Sequence, residues 1–189
     1  MQNSDDILSL YDRALDRTRQ LAANIRPDQY AKPTPCSEWD VRALLNHLAD
    51  LQRMTVAAVG GADTQQTELV RGDADPVAAF EAAATQARGA LHAPGFLERE
   101  FPAPWGSVQG SRLAGILFLD LLLHGWDLAK ATDQPTELDP ELCSIALAMG
   151  KAMMKPEFRQ AGGAFGPEVP IANDAPVCDR LAAFYGRRP

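Results

Sequence analysis

Two Asp-Pro pairs, at residues 75–76 and 139–140, most constrain the fold of this chain. Aspartate is a favoured helix N-cap and proline is favoured at the first helical position, so each pair marks the start of a helix. The segments between such breakers are rich in Ala and Leu, poor in β-branched residues, and spaced with helical rather than alternating periodicity. The pattern predicts an all-α protein.

The breakers divide the chain into five long helical segments and a short final one. Ser4, Ser37 and Ser111 are expected as the remaining N-caps. The stretch 96–110 contains two prolines and two glycines, which predicts a loop or a short hairpin. The expected helices cover about residues 5–25, 37–60, 75–91, 111–132, 139–156 and 177–186.

A chain of 189 residues can bury one good core, so we expect a single domain over residues 1–189, with a bundle core in 1–135 and a helical extension in 136–189. The Ala- and Leu-rich segment SIALAMGKAMM, residues 144–154, offers apolar surface beyond what four helices need. It suggests a homodimer, unless this helix packs on its own bundle.

The charge balance bears on possible partners. The chain has 25 acidic and 18 basic side chains, and its net charge of −7 would repel nucleic acid and anionic lipid. The apolar run 113–123 is too short to span a bilayer, and the N-terminus is acidic where a secretory signal would be basic. We therefore expect a cytoplasmic protein that binds neither nucleic acid nor membrane.

The cysteine pattern supports the same compartment. Cys36, Cys143 and Cys178 are odd in number and form no CxxC pair, which argues against a disulfide framework and against a thiolate zinc site. Cys143 and Cys178 are expected to be packing residues, and hydrolysis through Cys36 has no supporting motif.

The fourth predicted helix carries polar residues where apolar ones are expected. At about 100° per residue, Asp120 and His124 lie roughly 40° apart and Asp127 about 20° to the other side of Asp120, on the face that also holds Leu117. His47 has a similar place on the second helix. An unpaired carboxylate in such a stripe costs several kcal/mol, so a hydrogen-bonded cation or a metal must compensate it.

Two explanations fit this pattern. Inward histidines on two facing helices, with one carboxylate, match metal sites in bundle cores and a ligand set used by catalytic zinc. Alternatively, Asp120 hydrogen-bonds His47 or His124 without any metal. His92, at the end of the third helix, is expected to complement the helix dipole instead.

The motifs TPCSEWDVRALLNHL (34–48) and LDLLLHGWDLAKAT (119–132), with the ending FGPEVPIANDAPVCDRLAAFYGRRP (165–189), resemble the DinB-like four-helix metal-binding superfamily. The similarity is greatest to the actinobacterial-type group related to the N-terminal domain of mycothiol-dependent maleylpyruvate isomerase. The resemblance implies a DinB-like four-helix bundle with extra C-terminal helices. It covers most of the chain, although the length leaves no room for that isomerase's additional C-terminal domain.

The resemblance also implies a site. In that group a histidine and a Glu-x3-His pair hold zinc, which corresponds to His47, Asp120 and His124 here, with Asp in place of Glu. The shorter carboxylate implies closer helices or a bridging water. Asp127 is expected to orient a ligand, and Trp105 and Trp126 to line the cleft.

The implied function is metal-dependent thiol chemistry. A divalent ion, zinc or else nickel, would activate mycothiol or another small thiol for transfer to, or isomerisation of, a small electrophilic substrate. The alternative is a non-catalytic metal-binding or stress-associated bundle protein. No catalytic residue of the chain's own is assigned.

Overall fold

The computed structural model describes residues 4–37, 39–62, 75–103, 106–155, 159 and 165–189, with side chains from residue 7 onward. Its elements are predominantly helical, which confirms the predicted class. The helices are α1 (Ser4–Ala23), α2 (Val41–Val59), α3 (Pro76–Leu91), α4 (Gly110–Ala131), α5 (Pro140–Met153) and α6 (Val177–Phe184). A hairpin of β1 (Glu100–Ala103) and β2 (Gly106–Gln109) precedes α4. Of the two structures predicted for this stretch, a loop or a short hairpin, the hairpin is the one found.

The two Asp-Pro signals begin helices as predicted. The Asp75 carboxylate accepts hydrogen bonds from the Val77 and Ala78 amides, and Asp139 accepts from those of Glu141 and Leu142. Each side chain thus satisfies two of the amides that a helix start leaves without a partner.

Two of the three predicted serine caps, Ser37 and Ser111, were wrong. The N-cap of α2 is Asp40, whose carboxylate accepts from the Ala43 amide. Ser37 lies in the preceding turn, which the Trp39 amide closes by donating to the Cys36 carbonyl. Ser111 is already inside α4, because β2 continues directly into the helix and leaves Gln109 as the N-cap. Ser4 is the first described residue of α1, and the predicted cap by its side chain lies outside the described part of the structure.

The first four helices form the bundle. The main contacts pair α1 with α4 and α2 with α3, and further contacts join α2 to α4 and α1 to α3. Gly125 allows α1 and α4 to approach closely, since an added Cβ would lie 3.2 Å from the Thr18 hydroxyl. The α2–α4 contact is the one that brings the faces of His47 and Asp120 together.

The C-terminal helices pack on this bundle. Both α5 and α6 contact α4 and each other, and the hydrophobic core extends from α1 through Tyr185. Buried residues of α5 include Leu142, Ala146 and Leu147, so its apolar face is turned inward. Within the described part of the chain, Met153 is the only large apolar side chain that is exposed. The fifth helix therefore packs its main apolar face on its own bundle, and the homodimer stays a prediction.

A disulfide joins Cys143 of α5 to Cys178 of α6. The disulfide corrects the expectation that Cys143 and Cys178 are only packing residues. A reducing compartment was inferred from the expected absence of disulfides, so that inference loses its support. The odd number of cysteines was misleading, because two of the three form a disulfide and Cys36 is outside it. The two sulfurs meet because α5 and α6 pack side by side.

The apolar runs serve the core of the bundle. Among the residues that the structure describes, no helix combines the length and the apolarity needed to cross a lipid bilayer.

We predict that the disulfide stabilises the C-terminal helices. It closes a loop with a sequence separation of 35, for which a cross-link typically contributes about 2 to 4 kcal/mol. Urea unfolding of C143S/C178S should show a free energy of unfolding lower by this amount, and Cys36→Ser should show little change. Equal stability of the double variant and the wild type would contradict the prediction.

Candidate metal centre

His47, Asp120 and His124 come together in the structure. His47 Nε2 lies 3.5 Å from Asp120 Oδ2, and His124 Nε2 lies 3.4 Å from Asp120 Oδ1. The two imidazole rings meet edge to face with centroids 5.0 Å apart. Candidate ligand atoms of all three side chains lie within 4.8 Å of one another. The residues that the sequence singled out therefore form one cluster.

Two helices position this cluster. Asp120 and His124 are one turn apart on α4, and His47 faces them from α2. The side chain of His124 is 8% exposed, whereas those of Asp120 and His47 are 22% and 31% exposed. The cluster is thus most deeply buried at His124 and partly exposed at His47 and Asp120.

Two atoms of the cluster are buried without a hydrogen-bond partner in the described structure: His47 Nε2 and Asp120 Oδ2. Their separation of 3.5 Å is too long and poorly directed for a good hydrogen bond. Two ligands of a tetrahedral zinc, each about 2.0 to 2.1 Å from the ion, lie roughly 3.3 to 3.4 Å apart. The donor set and its spacing therefore fit a divalent metal, and the short Asp120 side chain reaches both imidazoles because α2 and α4 are close.

The indole of Trp39 covers the histidines. Its ring centroid is 4.4 Å from that of His47 and 5.6 Å from that of His124. Trp39 immediately precedes the Asp40 cap, so the turn before α2 carries it onto the cluster. The sequence gave one indication of this contact, which is that Trp39 and His47 are close along the chain. A tryptophan in such a position is usually explained by core packing.

Asp127 lies on the other side of His124. Its Oδ2 is 3.0 Å from His124 Nδ1, which is where a residue that orients the imidazole should be. The same carboxylate accepts hydrogen bonds from Arg187, at 3.1 Å from Nη2. The sequence indicated Asp127 but gave no sign of Arg187, which is 60 residues away along the chain.

A second group of possible ligands consists of Cys36, His124 and Asp127, again within 4.8 Å of one another. This group is a poorer cation site, because the guanidinium of Arg187 already neutralises Asp127 and would repel a second cation. Within the described residues, Asp120 pairs with histidines and with no Lys or Arg. The electrostatics therefore favour His47, Asp120 and His124.

The remaining predicted residues lie elsewhere. Trp126 is 1% exposed and donates its Nε1–H to Asp179 at 2.8 Å, so it does not line an open cleft. Two residues beyond His124, it points to the opposite side of α4. Trp105 lies outside the described residues. His92 is the C-cap of α3, and its Nε2 is 2.9 Å from Asp12 Oδ2.

The charges of the cluster shift its pKa values. Burial alone would lower the pKa of His124, but the charge of Asp120 and hydrogen bonds to Asp120 and Asp127 raise it to about 9. Burial would raise the pKa of Asp120, but the positive charge of His124 outweighs it and holds that pKa well below its usual range. Without metal, the two groups form an ion pair near neutral pH.

Comparison with known proteins gives a consistent picture. The family model of the mycothiol maleylpyruvate isomerase N-terminal domain matches residues 11–129, more than half of the chain. Two Mycobacterium tuberculosis proteins, the uncharacterized protein MT0763 of strain CDC 1551 / Oshkosh and the uncharacterized protein Rv0738 of strain ATCC 25618 / H37Rv, are each 40% identical. The match covers 96% of this chain and 98% of each relative.

Solved structures agree in fold. The crystal structure of the mycothiol-dependent maleylpyruvate isomerase superposes with a TM-score of 0.60 and 13% identity, and covers 76% of this chain and 67% of that one. A crystal structure of a histidine-to-alanine mutant of that isomerase gives the same values. At this identity the likeness establishes the bundle fold.

We predict that the metal-free protein loses stability between about pH 6.5 and pH 9. The pKa of His124 is raised on folding, so its contribution is complete below the ordinary value of 6.5 and disappears as pH rises through about 9. The expected loss is on the order of 2 to 3 kcal/mol. Urea unfolding of chelator-treated protein at pH 6 and pH 9.5 measures it.

Asp120→Asn is the matched variant, because it removes the charge that raises the pKa of His124 and keeps the side-chain size. Its free energy of unfolding should change less between the two pH values. A wild type that is equally stable at both would contradict the ion pair.

Proposed function

The chain belongs to the mycothiol maleylpyruvate isomerase N-terminal domain family, and on this premise we propose that it is a metal-dependent enzyme of small-thiol chemistry. His47, Asp120 and His124 would hold one divalent ion, for which zinc is the best match to two imidazoles and a carboxylate. The substrates would be mycothiol or a related small thiol and a small electrophile. The observation that carries the proposal is the pair of buried, unpartnered atoms, His47 Nε2 and Asp120 Oδ2, beside His124.

The charge of the site supports a cation. Asp120 contributes one negative charge, while Asp127 is neutralised by Arg187. The two imidazoles bind metal only when neutral, so binding must displace the proton that Asp120 holds on His124. A divalent ion there, unlike a proton, would satisfy both orphaned atoms at once.

When bound, the ion would lower the pKa of a coordinated thiol and so supply a thiolate nucleophile at neutral pH. Three protein ligands leave at least one position for this thiol. The thiol would approach past the partly exposed side chains of His47 and Asp120.

The chain's own residues would position and shield the reactants. Trp39 covers both histidines and keeps water from that side of the cluster, which strengthens electrostatic interactions within it. Asp127 holds His124 in one orientation through Nδ1. The thiol would lose its proton to solvent, and its sulfur would bond to an electrophilic carbon. In a substitution the bond to the leaving group would break and the leaving group would keep the electron pair. In an addition a carbon–carbon π bond would break and its electrons would move onto the conjugated carbonyl oxygen.

A second candidate is a bundle protein without catalysis. The Asp120–His124 ion pair favours it, since this pair satisfies part of the cluster without metal. The two candidates differ in whether the protein binds metal and whether a thiol reacts there.

We predict that untagged protein binds close to one equivalent of zinc. His47→Ala and His124→Ala should each weaken zinc binding by more than the roughly 10- to 100-fold typical of residues that only orient a ligand. Calorimetry and elemental analysis measure this, with His92→Ala as the control because His92 contacts Asp12 instead. A wild type that cannot be loaded with zinc or nickel would refute the metal site.

We also predict a metal-dependent reaction of a small thiol. Zinc-loaded protein should accelerate the reaction of mycothiol with maleylpyruvate or monochlorobimane, and His47→Ala should lose about two orders of magnitude of that acceleration, the scale of losing one group that stabilises developing charge. Glutathione and bacillithiol test thiol selectivity. Zinc binding with no rate gain for any thiol would support the non-catalytic candidate.

A further inference from the structure

Arg187 is an arginine buried in the core, two residues before the end of the chain. Its Nε and Nη2 donate to both oxygens of Asp127 at 3.1 to 3.4 Å, and its Nη1 donates to the Tyr185 carbonyl at 3.2 Å. The Asp127 side chain is fully buried and that of Arg187 is 6% exposed. Arginine and aspartate are almost never buried so deeply unless they are paired.

The pair continues to the candidate metal ligands. Asp127 Oδ2, which accepts from Arg187 Nη2, is also 3.0 Å from His124 Nδ1. Nδ1 is therefore engaged, and Nε2 is the ring atom that faces Asp120. Histidines that bind metal generally donate their second ring N–H to a carboxylate in this way, which fixes the tautomer and the ring orientation.

The arginine is what makes Asp127 suitable for this task. Asp120 and Asp127 both flank His124, so two equal carboxylates would compete for one cation. The two-pronged contact with Arg187 neutralises Asp127 and fixes the plane of its carboxylate. Only Asp120 then keeps its negative charge available for a metal.

We propose that Arg187 is a positioning residue of the metal centre, which through Asp127 commits His124 to binding by Nε2. The inference rests on the proposed function. It assigns a role to a residue outside the segment 11–129 that the family model matches.

The segment that carries Arg187 is fastened to the bundle independently of any metal. Asp179 accepts the Trp126 Nε1–H at 2.8 Å, and the neighbouring Cys178 is cross-linked to Cys143. The Arg187 amide itself donates to the Ala182 carbonyl at 3.0 Å. Arg187 is thus held in place before a metal arrives, as preorganisation of a site requires.

The test compares Arg187→Met and Arg187→Lys with Arg188→Met, whose arginine is adjacent and exposed. Zinc affinity is measured against a chromophoric chelator, and ¹⁵N correlation spectra of the zinc-loaded proteins report which nitrogen of His124 carries a proton. Arg187→Met should bind zinc about 10- to 100-fold more weakly. The wild-type spectrum should show one set of His124 signals, that of the tautomer protonated at Nδ1, and Arg187→Met should lose this single set. Arg187→Lys should fall between it and the wild type, and Arg188→Met should match the wild type.

The double variant D127N/R187M covers the case in which Arg187→Met does not fold. It removes both charges but keeps an oxygen that can accept from Nδ1, so it should fold and bind zinc at least about 10-fold more weakly than the wild type. A folded Arg187 variant with wild-type zinc affinity and an unchanged His124 spectrum would overturn the inference alone. A wild type that binds no zinc would overturn the proposed function and this inference with it.

Discussion

The placement of two carboxylates in the apolar stripe of α4, with Asp127 fully buried and Asp120 mostly buried, is the constraint on which the rest of this site depends. Asp120 and Asp127 sit in the apolar stripe through which α4 packs on the bundle, and a buried carboxylate is tolerated only with a compensating charge. The protein meets this requirement in two different ways. Asp127 has a permanently charged partner in Arg187, whereas the ion-pair partners of Asp120 among the described residues are two histidines, His47 and His124.

This difference divides one polar cluster into a fixed part and an exchangeable part. A guanidinium stays charged at any physiological pH, so the Asp127–Arg187 pair is constant. In the proposed metal site the imidazoles beside Asp120 would exchange a proton for a metal ion, since both occupants supply the positive charge that Asp120 needs. His124 belongs to both parts, because its Nδ1 faces the fixed pair and its Nε2 faces the exchangeable carboxylate.

The sequence predicted most of the local structure and the residues on α2 and α4 that form the cluster. Asp-Pro signals act within one helical turn, and the spacing of Asp120, His124 and Asp127 follows from helix geometry alone. The caps predicted at Ser37 and Ser111 were wrong because Asp40 and the hairpin before α4 take their places. Arg187 and the Cys143–Cys178 disulfide could not be predicted, because both depend on how the C-terminal segment returns to the bundle, which no local pattern encodes.

At position 120 this chain has aspartate where the family resemblance implies glutamate. The structure shows how far the shorter side chain reaches. Asp120 and His124 share one helix, so a shorter carboxylate changes mainly the reach across to α2. In this structure Asp120 Oδ2 still comes within 3.5 Å of His47 Nε2, and Trp39 packs on the same imidazole at 4.4 Å between centroids. We therefore expect the approach of α2 to α4 to compensate for the missing methylene. Of the three proposed ligands, His47 would then depend most on helix packing for its position.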